Sequence, residues 1–254
     1  MSDRELGRIL DFLAVVDAPA IDERRPWSRG TVFLTPTLPK VWDANYLSLE
    51  RFDDLDAGAI DAEATEVGTA SGLAHTAVVV ADERVGAKLA RTLGRLGYET
   101  TRFAVMTLRS VPEAPAVEVE LVDGAEVAAS RRELTLESFP GDEELADQLA
   151  ELDRRLATIP SRWFAVREDG QILARAWLRA DGHIAQVEDV ATTPTARGRG
   201  LARAVVSTAA AVAAEEAHDL TFVIADADET TPALYRKVGF EPLAITYRFV
   251  KSLA

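Results

Sequence analysis

The stretch EDVATTPTARGRGLARAVVSTAAAVA, residues 188–213, joins an apolar strand to an alanine-rich helix through a loop with two glycines and two arginines. Apolar residues recur at helical spacing from Leu201 to Val212, which predicts a helix over 201–217 with one stripe packed on a sheet. The first N–H groups of a helix have no partner inside the helix and carry partial positive charge. Glycines let a ligand approach this backbone, so the stretch predicts a diphosphate site.

Two better-known phosphate-binding patterns are excluded by spacing. A P-loop requires Gly-Lys-Ser/Thr, which does not follow these glycines, and the dinucleotide-binding pattern requires a third glycine where Arg203 stands. The arginines Arg197 and Arg199 add donors for charge-assisted hydrogen bonds. A plain glycine turn with solvated arginines remains the alternative to a ligand site.

The residues around the loop form alternating elements from residue 115 onward. Strands are predicted at 117–124, 162–169, 171–182, 183–192, 220–227 and 242–251, and helices at 126–139, 142–159, 201–217 and 231–239. This order predicts an α/β fold of the α+β kind, a mixed, mostly antiparallel sheet flanked by helices.

The first part of the chain predicts a smaller α/β unit. It contains a helix at 3–16, a proline- and charge-rich link at 18–27, a strand at 30–35, a coil at 36–52, an acidic stretch at 50–66, a strand at 75–82, a helix at 83–97 and a strand at 102–109. The segment VPEAPA, 111–116, interrupts the pattern and is the predicted linker. We therefore predict two domains, 1–111 and 112–254.

Two stretches of the chain resemble each other. LGRLGYETTRFAVM, 93–106, and YRKVGFEPLAITYRF, 235–249, both pass from a helix end through Gly-aromatic-Glu into a strand, with the glycine predicted as a helix C-cap. Leu93 stands where Tyr235 stands, and the first part has no counterpart of the glycine loop. The similarity fits either an internal duplication or chance.

Composition excludes several classes of function. The chain of 254 residues has no cysteine, and its three histidines lie far apart, so no metal site is predicted. A net charge of −14 opposes nucleic-acid binding and favours a cationic partner such as an amine. No apolar run is long enough for a membrane span, and the amino terminus lacks the features of a signal peptide. We therefore expect a cytoplasmic protein.

The loop and a second motif resemble those of the GNAT acetyltransferase superfamily. VATTPTARGRGLARAVV resembles the coenzyme A loop of that superfamily, whose Arg/Gln-x-x-Gly-x-Gly/Ala motif is met by Arg197, Gly200 and Ala202. ALYRKVGFEP, 233–242, is similar to its second signature, with Tyr235 at the tyrosine position. The resemblance covers residues 115–254 and implies a catalytic GNAT domain there. Residues 1–111 resemble a degenerate GNAT-like domain without a cofactor loop.

The resemblance implies acetyl-CoA as cofactor and assigns residues that bind it. The backbone of Val190, Ala191 and Thr192 would hydrogen-bond the pantetheine arm at a splayed strand end. Asp228 stands where many members carry an asparagine that contacts pantetheine, and an ionised aspartate cannot donate that hydrogen bond. The amides that would hold the pyrophosphate belong to Arg197, Gly198, Arg199, Gly200, Leu201 and Ala202.

The resemblance also implies direct attack of an amine on the thioester, with Tyr235 as the candidate acid. A tyrosine that only packs on the sheet is the alternative. For the base, Glu188 precedes Val190 by two positions, so both point to one sheet face and Asp189 points to the other, which favours Glu188 over Asp189. A structural carboxylate is the alternative role of Glu188. The expected function is acetyl-CoA-dependent N-acetyl transfer to a primary amine of a small molecule or peptide. A non-catalytic acyl-CoA-binding sensor or interaction module is the alternative, and a homodimer is compatible with either.

Overall fold

The structure is a computed structural model and describes residues 2–253. Its helices are α1 (Ser2–Val16), α2 (Ala57–Ala70), α3 (Glu83–Arg95), α4 (Gly124–Ser138), α5 (Glu143–Leu156), α6 (Leu201–Glu215) and α7 (Thr231–Val238). Its strands are β1 (Glu23–Trp27), β2 (Gly30–Leu34), β3 (Tyr46–Leu49), β4 (His75–Val80), β5 (Glu99–Leu108), β6 (Glu120–Val122), β7 (Ser161–Glu168), β8 (Gln171–Asp181), β9 (Ile184–Thr192), β10 (Leu220–Asp226) and β11 (Phe240–Ser252). The predicted mixed, mostly antiparallel sheet with flanking helices is confirmed.

Residue contacts divide the chain into two compact units that interleave along the sequence. The first unit contains the chain up to Val16, Val105–Ala225 and Glu229–Leu243, and the second contains Asp17–Ala104, Asp226–Asp228 and the chain from Ala244 on. The boundaries of these units differ from the single domain boundary near residue 112 that the sequence predicts. The division into domains 1–111 and 112–254 stays a prediction.

Helix α1 belongs to the first unit because its apolar stripe is buried there. Ile9, Phe12 and Val16 pack in one cluster with Val105 and Phe222. The rings of Phe12 and Phe222 meet edge to face, with centroids 5.5 Å apart. Burial of this stripe stabilises the contact between segments that lie more than 80 residues apart in sequence.

The first unit has a sheet with the strand order β10-β9-β8-β7-β6. Only β9 and β10 run parallel in this series, and the other neighbours are antiparallel. Helix α6 packs on β7, β8 and β9. The predicted Asp-Gly turn joins β7 to β8, with positive φ at both Asp169 (49°) and Gly170 (82°). Trp163 and Trp177 stack at 4.8 Å as neighbours on β7 and β8.

The second unit contains the strands β1-β2-β3-β4 and the last part of β11, which pairs with β4. Three of its elements were missing from the prediction: β1 in the supposed link, β3 in the supposed coil and α2 in the acidic stretch. Proline at Pro26 suggested a link, but β1 is an edge strand and tolerates it. Helix α2 buries only Ile60, Ala64 and Gly68 at four-residue spacing, so its acidic outer face dominated the pattern.

The two similar stretches occupy equivalent places in the order of elements. The series β3-α2-β4-α3-β5 has the same order as β9-α6-β10-α7-β11, and β3 is parallel to β4 as β9 is to β10. Gly97 and Gly239 both have positive φ, 91° and 114°, after α3 and α7. This agreement supports the duplication. Gly239 is the C-cap of α7 as predicted, whereas the C-cap of α3 is Leu96 and Gly97 follows it.

None of the helices within residues 2–253 combines the length and apolar character that a membrane crossing requires.

Candidate functional site

The glycine loop ends in an exposed helix N-terminus that no side chain caps. Gly200 is the N-cap of α6 with φ of 80°, and Gly198 has φ of 78°. The first helical hydrogen bond runs from the Ala204 N–H to the Gly200 carbonyl at 3.1 Å. The N–H groups of the helical residues before Ala204 therefore have no acceptor inside the helix, and an anion can accept their hydrogen bonds. A Cβ atom at either glycine would meet no heavy atom within 4 Å, so the space beside this backbone is open.

The two loop arginines are placed differently. Arg197 is exposed, whereas the Arg199 guanidinium donates to both carboxylate oxygens of Glu168, at 3.0 and 2.9 Å. This pair lies on the surface, and the arginine lowers the pKa of the Glu168 carboxyl. The side chain of Arg199 is thus engaged by the β7–β8 hairpin, and its backbone amide stays in the loop.

Strand β9 separates from β10 before it reaches the loop. Within residues 2–253, the two strands are paired on β9 from Ile184 to Gln186 only. On its other side β9 stays paired with β8 up to Thr192. The backbone edge of Val190, Ala191 and Thr192 that faces away from β8 therefore lies outside this ladder, as predicted for a splayed strand end.

Two buried hydroxyl groups lie at the end of the splayed strand. The Oγ1 atoms of Thr192 and Thr193 are buried, and within residues 2–253 neither has a hydrogen-bond partner. Buried hydroxyls without partners are costly and uncommon in native proteins. A polar ligand at the strand end would give both groups a partner.

A β-bulge at Asp189 corrects the predicted orientation of the two acidic residues on β9. Trp177 on β8 faces Glu188 and Arg175 faces Ala191, so Asp189 and Val190 together oppose one residue. Asp189 has φ of 46°, and its carboxylate binds Arg175. It therefore faces the arginines on the same side as Glu188, because the bulge breaks the alternation that the prediction assumed.

Tyr235 and Glu188, the predicted acid and base, influence each other electrostatically. Tyr235 is 4% exposed, and its ring meets Phe240 edge to face at 6.0 Å. Burial raises the pKa of Tyr235 to about 12, and the Glu188 carboxylate contributes to the rise. The phenol is therefore protonated at neutral pH and can donate a proton. Glu188 remains partly exposed, with Arg179 Nε 3.7 Å from its carboxylate.

Asp228, the remaining predicted cofactor residue, belongs to the second compact unit. Its carboxylate accepts a hydrogen bond from Arg102 at 2.9 Å, and its N–H donates to Asp226. The arginine offsets part of the acidic charge of this segment. The role of Asp228 in binding a cofactor stays a prediction.

An ionic cluster beneath α4 and α5 is the part of the site that the sequence analysis missed. Arg131 on α4 contacts Asp153 on α5 at 2.6 Å and Asp189 at 3.5 Å. Arg175 binds Asp189 and lies 3.4 Å from the Ser130 hydroxyl. A signal was present in the sequence, because Arg175 and Arg179 occupy the middle of an otherwise apolar strand. A charged residue in such a strand indicates a buried partner.

The cluster predicts a pH dependence of folding stability that Asp153→Asn should remove. Burial raises the pKa of Asp153 from 3.8 to about 6. The folded chain therefore binds this proton more tightly than the unfolded chain, so the stabilisation is present at low pH and is lost as pH rises through 6. Between pH 5.5 and 7.5 the wild type should lose about 0.8 kcal/mol relative to the variant. Urea denaturation at both pH values measures this difference.

Asp147→Asn on the exposed face of α5 is the matched control, because Asp147 pairs with Arg132 at the surface. Its free energy of unfolding should follow that of the wild type across the same pH range. Equal pH dependence of the wild type and Asp153→Asn would contradict the assignment.

The second unit has no comparable loop at the equivalent position. The segment before α2 is ERFDDLD, 50–56, and its Asp56 side chain accepts the Gly58 N–H at 2.9 Å. A carboxylate thus already occupies the helix N-terminus where an anion would bind. Three aspartates in this segment further oppose a diphosphate.

Comparison with known proteins gives one family match. Residues 129–240 match the model of the Acetyltransferase (GNAT) family. A curated mycothiol acetyltransferase from Clavibacter sepedonicus is 31% identical over 104 residues, which are 39% of this chain and 34% of that protein. The match thus spans about a third of the length of that relative.

Solved structures resemble the chain over nearly its whole length. A functionally unknown conserved protein from Staphylococcus epidermidis has a TM-score of 0.71 at 14% identity, with 92% of this chain and 96% of that chain covered. A GCN5-related N-acetyltransferase from Kribbella flavida has a TM-score of 0.63 at 20% identity, with 100% and 96% covered. At these identities the likeness shows the fold, and the predicted fold is confirmed.

Proposed function

We propose that this chain, whose residues 129–240 match the model of the Acetyltransferase (GNAT) family, is an acetyl-CoA-dependent N-acetyltransferase acting on a primary amine of a small molecule or peptide. The observation that carries the proposal is the exposed, uncapped N-terminus of α6 directly after the splayed end of β9. Both features suit one extended ligand, because a diphosphate needs N–H donors and an amide-containing arm needs a strand edge.

The residues of the first unit fit coenzyme A. Amides from Arg197 to Ala202 would hold the pyrophosphate, and the backbone of residues 190–192 would pair with the pantetheine arm. The buried hydroxyls of Thr192 and Thr193 would gain partners at the same strand end. When bound, acetyl-CoA supplies an activated acetyl thioester.

Two side chains of the same unit supply the proton transfers. Tyr235 is protonated at neutral pH and donates a proton toward the departing thiolate. Glu188 is partly exposed and accepts the proton that the attacking amine must lose. The different burial of the two groups suits these roles, because apolar surroundings keep the acid neutral, while the carboxylate that accepts the proton remains partly exposed.

Residues 1–111 are, in this proposal, a degenerate GNAT-like domain. The shared order of elements supports a common origin of the two parts. The capping carboxylate of Asp56 explains why only one cofactor site is proposed. The name of the curated relative supports acetyl transfer in general and does not fix the acceptor.

The test is calorimetric titration of the purified chain with acetyl-CoA, followed by thiol release in the presence of an amine panel. The panel contains polyamines, aminoglycosides, amino acids and peptides with a free N-terminus or lysine. A thiol-reactive dye has no protein background because the chain has no cysteine. Binding together with amine-dependent thiol release supports the proposal. Binding without release with any amine favours the acyl-CoA-binding module, and no binding overturns both.

Glu188→Gln should slow amine-dependent turnover while leaving acetyl-CoA affinity unchanged. We expect a loss of about 10-fold in kcat/KM for the amine at pH 7.5, at the low end for a general base because water also removes the proton. The difference should shrink as pH rises, since more of the amine is then unprotonated. A pH profile of kcat/KM measures this, with Glu216→Gln, a surface partner of Arg162, as control. Parallel profiles of Glu188→Gln and wild type would exclude Glu188 as the base.

A further inference from the structure

The bulge in β9 depends on a backbone conformation that aspartate adopts at a cost. Asp189 has φ of 46°, in the left-handed region where a side chain other than glycine is strained. Pairing between β9 and β10 has ended three residues earlier, at Gln186. The extra residue of a bulge bends and twists its strand. The bulge thus lies just beyond the point at which β9 departs from β10.

A buried arginine holds this aspartate in place. Arg175 is 5% exposed and binds the Asp189 carboxylate through two nitrogens, Nε at 2.8 Å and Nη2 at 3.3 Å. It comes from β8, the strand that remains paired with β9 on both sides of the bulge. Arg131 adds a longer contact to the same carboxylate, 3.5 Å. The two hydrogen bonds fix the orientation of the carboxylate, and the guanidinium compensates its charge.

We propose that Arg175 is a positioning residue that keeps Asp189 in the left-handed conformation and thereby keeps the gap between β9 and β10 open for the pantetheine arm. This inference rests on the proposed function, since the gap matters only if acetyl-CoA binds there. Arg175 acts through Asp189 and the strand backbone. Loss of Arg175 should therefore change the affinity for the cofactor more than it changes the rate of the chemical step.

The direct test is acetyl-CoA titration of Arg175→Met and of the double variant Arg175→Met/Asp189→Gly. Methionine keeps much of the volume of the side chain but leaves the Asp189 carboxylate poorly compensated, so the bulge relaxes and the dissociation constant rises about 10-fold. Glycine at position 189 adopts positive φ freely, and it removes the carboxylate that has lost its arginine partner. The double variant should therefore return to within about threefold of the wild type. Failure of the double variant to recover affinity would overturn the proposal.

Arg179→Met is the matched control, because Arg179 is a buried arginine on the same strand and the same face. It donates to Gln186, where β9 is still paired with β10. Its substitution should lower the melting temperature as Arg175→Met does, with unchanged acetyl-CoA affinity. An equal loss of affinity in both variants would show a general effect of removing buried charge and would overturn the proposal.

Two variants of Asp189 keep the proposal testable if Arg175→Met does not fold. Asparagine tolerates positive φ and still accepts a hydrogen bond from Arg175, whereas alanine does neither. Asp189→Asn should bind acetyl-CoA nearly as the wild type does, and Asp189→Ala should bind about 10-fold more weakly. Equal affinities of the two variants would contradict the positioning role. Absence of binding by the wild type would instead overturn the proposed function.

Discussion

Replacing Gly200 with glutamate should weaken acetyl-CoA binding by at least about 100-fold, equivalent to about 2.8 kcal/mol. Gly200 has φ of 80° and is the N-cap of α6, so any side chain there strains the backbone that presents the loop amides. Glutamate also places a negative charge where the pyrophosphate should lie. A Cβ at this position meets no neighbouring atom, so the variant should still fold. Isothermal titration of wild type and variant measures the loss.

Gly182→Glu is the control that shows whether Gly200→Glu loses affinity because the site is lost or only because strain and charge are added. Gly182 has φ of 55°, has open space beside it, and lies in the turn before β9, at the end opposite to the loop. Its substitution adds the same side chain to a glycine of similar conformation. We expect lower stability with unchanged affinity for acetyl-CoA. If Gly200→Glu binds as tightly as this control, the loop is only a turn and the proposed function fails.

Removal of one hydroxyl group, in Tyr235→Phe, should lower kcat about 100-fold while leaving the acetyl-CoA dissociation constant within about twofold. The hydroxyl is the proposed proton donor to the departing thiolate, whereas the ring and its contact with Phe240 are kept. Because the pKa of Tyr235 is raised to about 12, wild-type activity should not fall through ionisation of this group up to about pH 10. Steady-state thiol release between pH 7 and 10 measures both effects.

Tyr247→Phe controls for the loss of the hydroxyl group of a buried tyrosine outside the proposed site. Tyr247 is 6% exposed and lies in the second unit, where its ring stacks with Phe249. Its turnover should equal that of the wild type. A Tyr235→Phe enzyme with undiminished kcat would leave the acetyltransferase proposal standing but would exclude Tyr235 as the acid.

Several local features of the fold were predictable because short-range patterns carry them. The helical stripe of 201–217 predicted α6, the Asp-Gly pair predicted the turn at Asp169 and Gly170, and Gly239 predicted the end of α7. The strands from residue 115 onward were predicted because their alternation is clear. The missed elements β1, β3 and α2 are short, carry proline or expose a charged face, so tertiary pairing rather than local pattern stabilises them.

The sequence by itself determined the local form of the candidate site: a glycine loop before a helix, with Arg197 and Gly200 at the spacing of the coenzyme A loop that it resembles. It also placed Tyr235 and Glu188 on elements of the same part of the chain. Tertiary structure decided how the strand before the loop is shaped. The bulge at Asp189 depends on Arg175, 14 residues away on another strand, and on Arg131 from α4. Side-chain alternation assumes an unbroken strand, and only the pairing of distant segments shows where a buried charge pair breaks it.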